Sequence, residues 1–235
     1  MPIISSKIRY AFGCLIFVCF LVALLVSCFN TNNNAEAVYS YDNYLKTPPK
    51  IRVLLHNNIK EIQIEINQPY SISDFKSDEI LADRVNLKKS VLYLKSGDFR
   101  TRSLSSESTH NAPTTFIKAD GNVCIVTNNS YVQLKKSKYS GKIILVPNDD
   151  DRFSILEEIG IEEYLPGVIE GEMPIMWNDD ALQAQVIAVR TYAIYKRKIR
   201  ANALYHINKL DLAYKGSYLN QDKSKEIVDK TRGTV

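Results

Sequence analysis

A carboxyl group that must give up a proton near neutral pH needs apolar surroundings, and one glutamate of this chain is placed to have them. Glu172 lies in the run Tyr164-Leu165-Pro166-Gly167-Val168-Ile169-Glu170-Gly171-Glu172-Met173-Pro174, closely followed by the only tryptophan, Trp177. Beyond it, Ala181-Leu182-Gln183-Ala184-Gln185-Val186-Ile187-Ala188-Val189-Arg190-Thr191-Tyr192-Ala193 reads as a helix apolar on nearly every side. The pattern sets Glu172 on a turn, held by the proline and the tryptophan, against apolar walls. Such walls disfavour the charged form of a carboxyl and raise its pKa, which is what a general acid requires. The plain alternative is a glutamate that caps or solubilises a turn. Glu162, Glu163 and Glu170 stand close in sequence and would raise the pKa of Glu172 further if they faced it; solvated positions are the other reading.

The run from Tyr164 to Ala193 resembles the core motif of the stage II sporulation protein D / amidase-enhancer family of peptidoglycan-active proteins. That motif reads roughly Tyr-Leu-x-Gly-Val-x-x-x-Glu-Met-Pro, then Trp, then Ala-Leu-x-Ala-Gln-x-x-Ala-x-Arg-Thr-Tyr-Ala, and nearly every position is matched here. The resemblance implies a lytic transglycosylase acting on glycan strands stripped of their peptides, with Glu172 as the catalytic residue. A single carboxyl suffices for that reaction: it protonates the glycosidic oxygen and then, as carboxylate, takes the proton of the sugar's 6-hydroxyl as a 1,6-anhydro ring closes. Gln185 and Arg190 are among the few polar groups on this apolar helix and must find partners or line the cleft, and with Tyr192 they are the candidate substrate contacts. For Gln185 and Arg190, support of the Glu172 loop is the competing role. The other readings of the family are a non-catalytic wall-binding module that stimulates an amidase, and an inactive, shortened homologue.

Past Ala193 the resemblance thins. His206 and Asp211-Leu212-Ala213-Tyr214-Lys215-Gly216 look like a shortened form of the loop that carries zinc ligands in some members. No cysteine follows Cys124, and His56, His110 and His206 are scattered, so no metal site and no cofactor are expected. Ile227 to Val235 resembles the family's next helix and turn, and a Ser/Gly-rich strand region that normally completes the domain is expected to be missing.

The elements that must hold the motif are mostly strands. Glu61-Ile62-Gln63-Ile64-Glu65-Ile66 alternates strictly, so its three isoleucines face one side of a sheet. Other strands are expected at 51–55, 91–94, 122–127, 131–134, 142–146 and 152–156, separated by turns such as Lys95-Ser96-Gly97-Asp98, Ala119-Asp120-Gly121, Ser140-Gly141 and Pro147-Asn148-Asp149-Asp150. Cys124, within one of them, is expected to be a buried structural thiol. Ser103 to Thr115 reads as a surface loop, and Lys135-Lys136-Ser137-Lys138 as a solvated hairpin tip. Asn178 or Asp179 can cap the long helix; Leu182, Val186, Val189 and Ala193 would bury one face of it, and Ala181, Ala184, Ala188 and Tyr195 a second. The fold class is α+β: a β-rich part over 50–158 and a helical, motif-bearing part over 159–235.

Composition fits a folded domain, with 45% hydrophobic and 24% charged residues among 235. A formal charge of +4 gives no concentrated basic face, so nucleic acid is not an expected partner. Lys7 and Arg9 precede an apolar run from Tyr10 to Phe29, the pattern of a signal segment or membrane anchor over residues 1–29. Its ending, Leu25-Val26-Ser27-Cys28, matches a bacterial lipoprotein box with Cys28 as the lipidated residue. Residues 30–49, Asn-rich and closing on Pro48-Pro49, read as a linker. Either form of anchor puts the rest of the chain at the outer face of the bacterial membrane, where peptidoglycan glycan strands and a wall amidase are the expected partners. Cys28→Ser is expected to abolish incorporation of a labelled fatty acid if the segment is a lipoprotein signal. Full-length chain soluble in the cytoplasm would exclude both forms of anchor.

Overall fold

The structure is a computed structural model that describes residues 44, 47–104, 114–118, 121–217 and 222–235. The apolar segment, Cys28 and nearly all of the 30–49 linker fall outside the described residues, as does 105–113 of the expected loop. Among the described residues no helix is long and apolar enough to cross a membrane.

The chain is α+β. Its strands are β1 (Lys50–Ile59), β2 (Glu61–Ile66), β3 (Tyr70–Asp74), β4 (Ile80–Arg84), β5 (Leu87–Lys95), β6 (Asp98–Ser103) and β7 (Thr114–Lys118). They continue with β8 (Val123–Thr127), β9 (Val132–Leu134), β10 (Ser137–Tyr139), β11 (Lys142–Pro147), β12 (Phe153–Gly160) and β13 (Ile207–Asn208). One seven-stranded sheet has the order β13-β1-β12-β11-β8-β3-β4, and a six-stranded sheet has β10-β9-β2-β5-β6-β7. Ladders are antiparallel except for β1 with β13, which runs parallel because the chain returns to that edge through a helix. Among the described residues three helices follow β12, with β13 between the second and the third: α1 (Ile161–Glu172), α2 (Asp179–Ile199) and α3 (Asp222–Lys230). Residues 41–235 form one compact unit.

Alternation works as expected in β2, where Ile62, Ile64 and Ile66 are all buried. Ser96 and Gly97, at φ 53° and 82°, make the two-residue turn between β5 and β6, pairing Lys95 with Asp98. Cys124 is a free, buried thiol, and burial pushes its pKa up to about 11. Three expectations are corrected. Thr114 and Thr115, assigned to a surface loop, begin β7. The strand expected at 152–156 runs to Gly160 and leads directly into α1. The second buried face of α2 is absent: Leu182, Val186, Val189 and Ala193 are buried, but Ala181 and Ala184 are exposed. Alanine there serves helix propensity, so α2 packs by one face only. Tyr44, placed in the linker, is buried at 4% exposure and donates to Glu162.

Two histidines fold into this frame as neutral groups. His206 is buried, its Nδ1 accepts the Arg52 N–H at 3.0 Å, and burial together with Arg52, Arg197 and Arg200 lowers its pKa to about 4. His56 is lowered to about 4 by burial and by Lys209 and Lys135. Below 6.5 the unfolded chain takes up protons that the folded chain refuses until about pH 4. Stability is therefore expected to fall with pH across that window and to level off beneath it. Urea melts at pH 7, 6 and 5 check the slope, and His206→Gln is expected to make it shallower.

Candidate functional site

Helix α1 starts on Gly160, an N-cap with no side chain to bond the free N–H groups, so the acidic first turn of Glu162 and Glu163 compensates them electrostatically. Pro166 sits inside the helix and removes the N–H that would bond the Glu162 carbonyl. The helix ends at Glu172, where Met173, in extended conformation, returns its N–H to the Ile169 carbonyl at 3.0 Å. Glu172 is thus the last residue of a helix and not a turn residue. The turn comes next: Trp177 N–H closes on the Pro174 carbonyl at 3.0 Å, with the indole still 37% exposed. Asn178 then caps α2, its Oδ1 accepting from Asp180 N–H at 2.7 Å.

What reaches Glu172 is a segment far along the chain. Ala213 donates its backbone N–H to the carboxylate at 2.6 Å. The approach is possible because α1 presents glycine to that segment. A Cβ on Gly171 would lie 1.7 Å from the Ala213 carbonyl oxygen, and one on Gly167 would lie 2.0 Å from the Gly216 oxygen and 2.7 Å from Tyr214 Cε2. Lys215 fastens the contact, N–H to Gly167 carbonyl at 3.2 Å and Nζ to Glu170 carbonyl at 2.5 Å. Glu172 is half-buried. Loss of solvent raises its pKa, and the Ala213 N–H pulls it the other way.

The neighbouring glutamates do not act on Glu172. Glu162 is paired with Arg190, Glu170 accepts from the Ser224 hydroxyl at 2.7 Å, and Glu163 is exposed, nine residues before Glu172 and so on the opposite side of the helix. A cavity of about 650 Å³ lined by Glu163, Pro166, Ser140, Ser217 and Lys225 lies on that side, away from Glu172.

The helix residues assigned to substrate divide. Arg190 is 0% exposed: Nε and Nη2 grip Glu162 at 2.8 and 3.0 Å, and further bonds go to the carbonyls of Thr234 and Val228 and the Thr231 hydroxyl. That is a brace and leaves no face for a sugar, which corrects the expectation for this residue. Gln185 is half-buried, and its Nε2 is enclosed without a protein hydrogen-bond partner. Tyr192 is half-buried with the Lys196 ammonium 5.3 Å from its ring centre. The charges of Glu172 and Tyr192 both bear on the buried Tyr164 phenol, which raises its pKa further above what burial does. Tyr164 was not singled out from sequence, and its hydroxyl too has no protein partner. Among the described residues no group of three or more His, Cys, Asp or Glu side chains is placed to hold a metal ion.

This geometry falls within a segment that known proteins share. Residues 149–235 match the family described as Stage II sporulation protein, SpoIID. That segment is similar to the SpoIID family, and the likeness extends over it rather than over the whole chain. It is 31% identical over 108 residues to stage II sporulation protein D of Bacillus amyloliquefaciens, covering 46% of this chain and 29% of that protein. Over 67 residues it is 39% identical to an uncharacterized protein of Brachyspira hyodysenteriae, covering 28% of this chain and 18% of the other. The matched region spans less than a third of either relative. No solved structure matches the chain.

The SpoIID segment makes the glycine contact testable. Gly171→Ala is expected to push the 213–216 segment off α1 and to break the Ala213 bond to Glu172. A lower Tm, with at least a tenfold loss of any Glu172-dependent activity, is the expected result. Gly121→Ala, where an added Cβ meets nothing within 4 Å, is the neutral control.

Proposed function

We propose that the protein is a membrane-tethered, peptidoglycan-cleaving lytic transglycosylase with Glu172 as its acid and base, acting in cell-wall remodelling of the kind sporulation requires. The observation that carries this is the setting of Glu172: a half-buried carboxyl at a helix end, raised by desolvation, held by one backbone N–H, in the SpoIID-matching segment. Hydrolysis by two carboxylates needs a second acid across the scissile bond, and the glutamates nearest in sequence are occupied or turned away. One carboxyl is enough when the substrate supplies the nucleophile. Protonated Glu172 delivers its proton to the glycosidic oxygen as the bond from C1 breaks. The carboxylate then takes the proton of the 6-hydroxyl, whose oxygen bonds to C1, and the acid is restored. Desolvation favours the first half of that cycle and the Ala213 N–H the second. Gln185, with its unpaired Nε2, and Tyr192 are the contacts we assign to the sugar. The N-terminal segment, as lipoprotein or spanning anchor, holds the site at the outer membrane face.

Glu172→Gln is isosteric and neutral, so folding and glycan binding are expected to survive. Release of 1,6-anhydro-ended fragments from peptide-free glycan strands, read by mass spectrometry, is expected to fall roughly 100- to 10,000-fold. Equal release by both proteins would reject the assignment. No release by either, with binding intact, would leave a wall-binding module as the function.

A further inference from the structure

We propose that Glu157 is the positioning residue of the Glu172 site: its buried carboxylate holds segment 213–217 where Ala213 can bond Glu172, and protonation of Glu157 loosens that bond. The activity arm of this proposal rests on the function proposed above; the structural arm does not.

Glu157 lies on an inner strand, β12, facing Val53 on β1 and Ile143 on β11, and is 0% exposed. An apolar residue would fill such a position more cheaply, since a buried carboxylate must be fully hydrogen-bonded to be tolerated. Here three donors meet it. Ser217 Oγ at 2.6 Å and Gly141 N–H at 3.0 Å converge on Oε1, and the Tyr214 hydroxyl at 2.7 Å on Oε2. Gly141 is fitted to the purpose, because a Cβ there would meet Glu157 Cγ at 2.7 Å. Two of the three donors belong to the segment that carries Ala213, and Tyr214 is its direct neighbour. Tyr214 also packs on Tyr164 with ring centres 4.6 Å apart.

A proton on Glu157 cannot be accommodated equally on both oxygens. On Oε1 it would point toward a backbone N–H that has no other conformation to adopt. On Oε2 it meets the Tyr214 hydroxyl, which must turn from donor to acceptor. Tyr214 is therefore the contact that yields first, and Ala213 moves with it. The titratable groups that bear on Glu157 or feel its charge are Glu163 on α1, Tyr214 of the segment, Tyr139 on β10 and Tyr164 on α1. Burial raises the Glu157 pKa to about 6, with Glu163 adding to the rise, while the Ser217, Tyr214 and Gly141 bonds lower it.

The test follows the Ala213 amide by NMR from pH 4 to 8, in the full chain held in detergent micelles. The wild type is expected to show a step near pH 6. Glu157→Gln is expected to abolish it, and Tyr214→Phe to move it to higher pH, because one bond that favours the carboxylate is gone. No step near pH 6, or the same step in Glu157→Gln, would overturn the proposal. If Glu157→Gln fails to fold, the direction of the Tyr214→Phe shift decides. In glycan cleavage, Glu157→Gln is expected to lower kcat about tenfold with KM unchanged and to remove the acid limb near pH 6. A lower kcat with that limb intact would make Glu157 merely structural. Wild type that does not cleave at all would overturn the function proposed above, and the amide titration would still settle the role of Glu157.

Discussion

The three helices are arranged around one buried cation. Arg190, at the centre of α2, lies out of solvent and puts two nitrogens on Glu162 of α1, while its remaining contacts reach Val228 at α3 and Thr231 and Thr234 beyond it. Tyr44 donates to the same glutamate. Such a pair is an uncertain source of net stability, because both ions must be stripped of water. Its geometric consequence is firmer. A planar guanidinium bonded in several directions fixes where α1 can lie relative to α2 and α3. Removal of either partner strands the other charge, at a cost of about 3–5 kcal/mol. The position of Glu172, at the far end of α1, is inherited from that clamp.

A second constraint acts on the other side of the same helix. Gly167 and Gly171 strip α1 of side chains where the 212–216 segment lies, so backbone meets backbone at distances that no other residue permits. The helix gives up propensity at both positions, roughly 1 kcal/mol each. In return a peptide N–H reaches the carboxylate at the helix end. A helix C-terminus is an unfavourable place for a negative charge, because the carbonyl dipoles there point the same way. The Ala213 N–H offsets that disadvantage without supplying a full positive charge, which would depress the pKa further.

The sequence was most legible where local pattern and tertiary role coincide. β2 alternates because one face of it is core, and Leu182, Val186, Val189 and Ala193 recur at helical spacing because they face α1 and the sheets. Asn178 was readable as a cap from residue type alone. β3, β4, β6, β7, β10 and β13 were not assigned, since short polar strands such as Ser137–Tyr139 acquire their conformation from a neighbour's hydrogen bonds rather than from their own composition. The same limit hid the site's support. Nothing local distinguishes Glu157 from Glu158, yet one is fully buried and the other pairs across the ladder at a partly exposed position. The polarity of Arg190 and Gln185 was visible, but the burial and partners of Arg190 were decided by chain 28 to 44 residues away.

Glu157 and Glu172 show how one fold sets two carboxyls to different tasks. Both are pushed up by loss of solvent. Glu157 answers with three donors and no exit, so its charge state is tied to the packing around it. Glu172 keeps one donor and an open side, so its proton can be exchanged with something outside the protein. The segment between them, Ala213 to Ser217, bonds to both, and the two carboxyls cannot be perturbed independently. A carboxyl that is only half enclosed gains its distinct chemistry from that linkage: the fully enclosed group fixes the backbone, and the backbone fixes the one hydrogen bond that tunes the exposed acid.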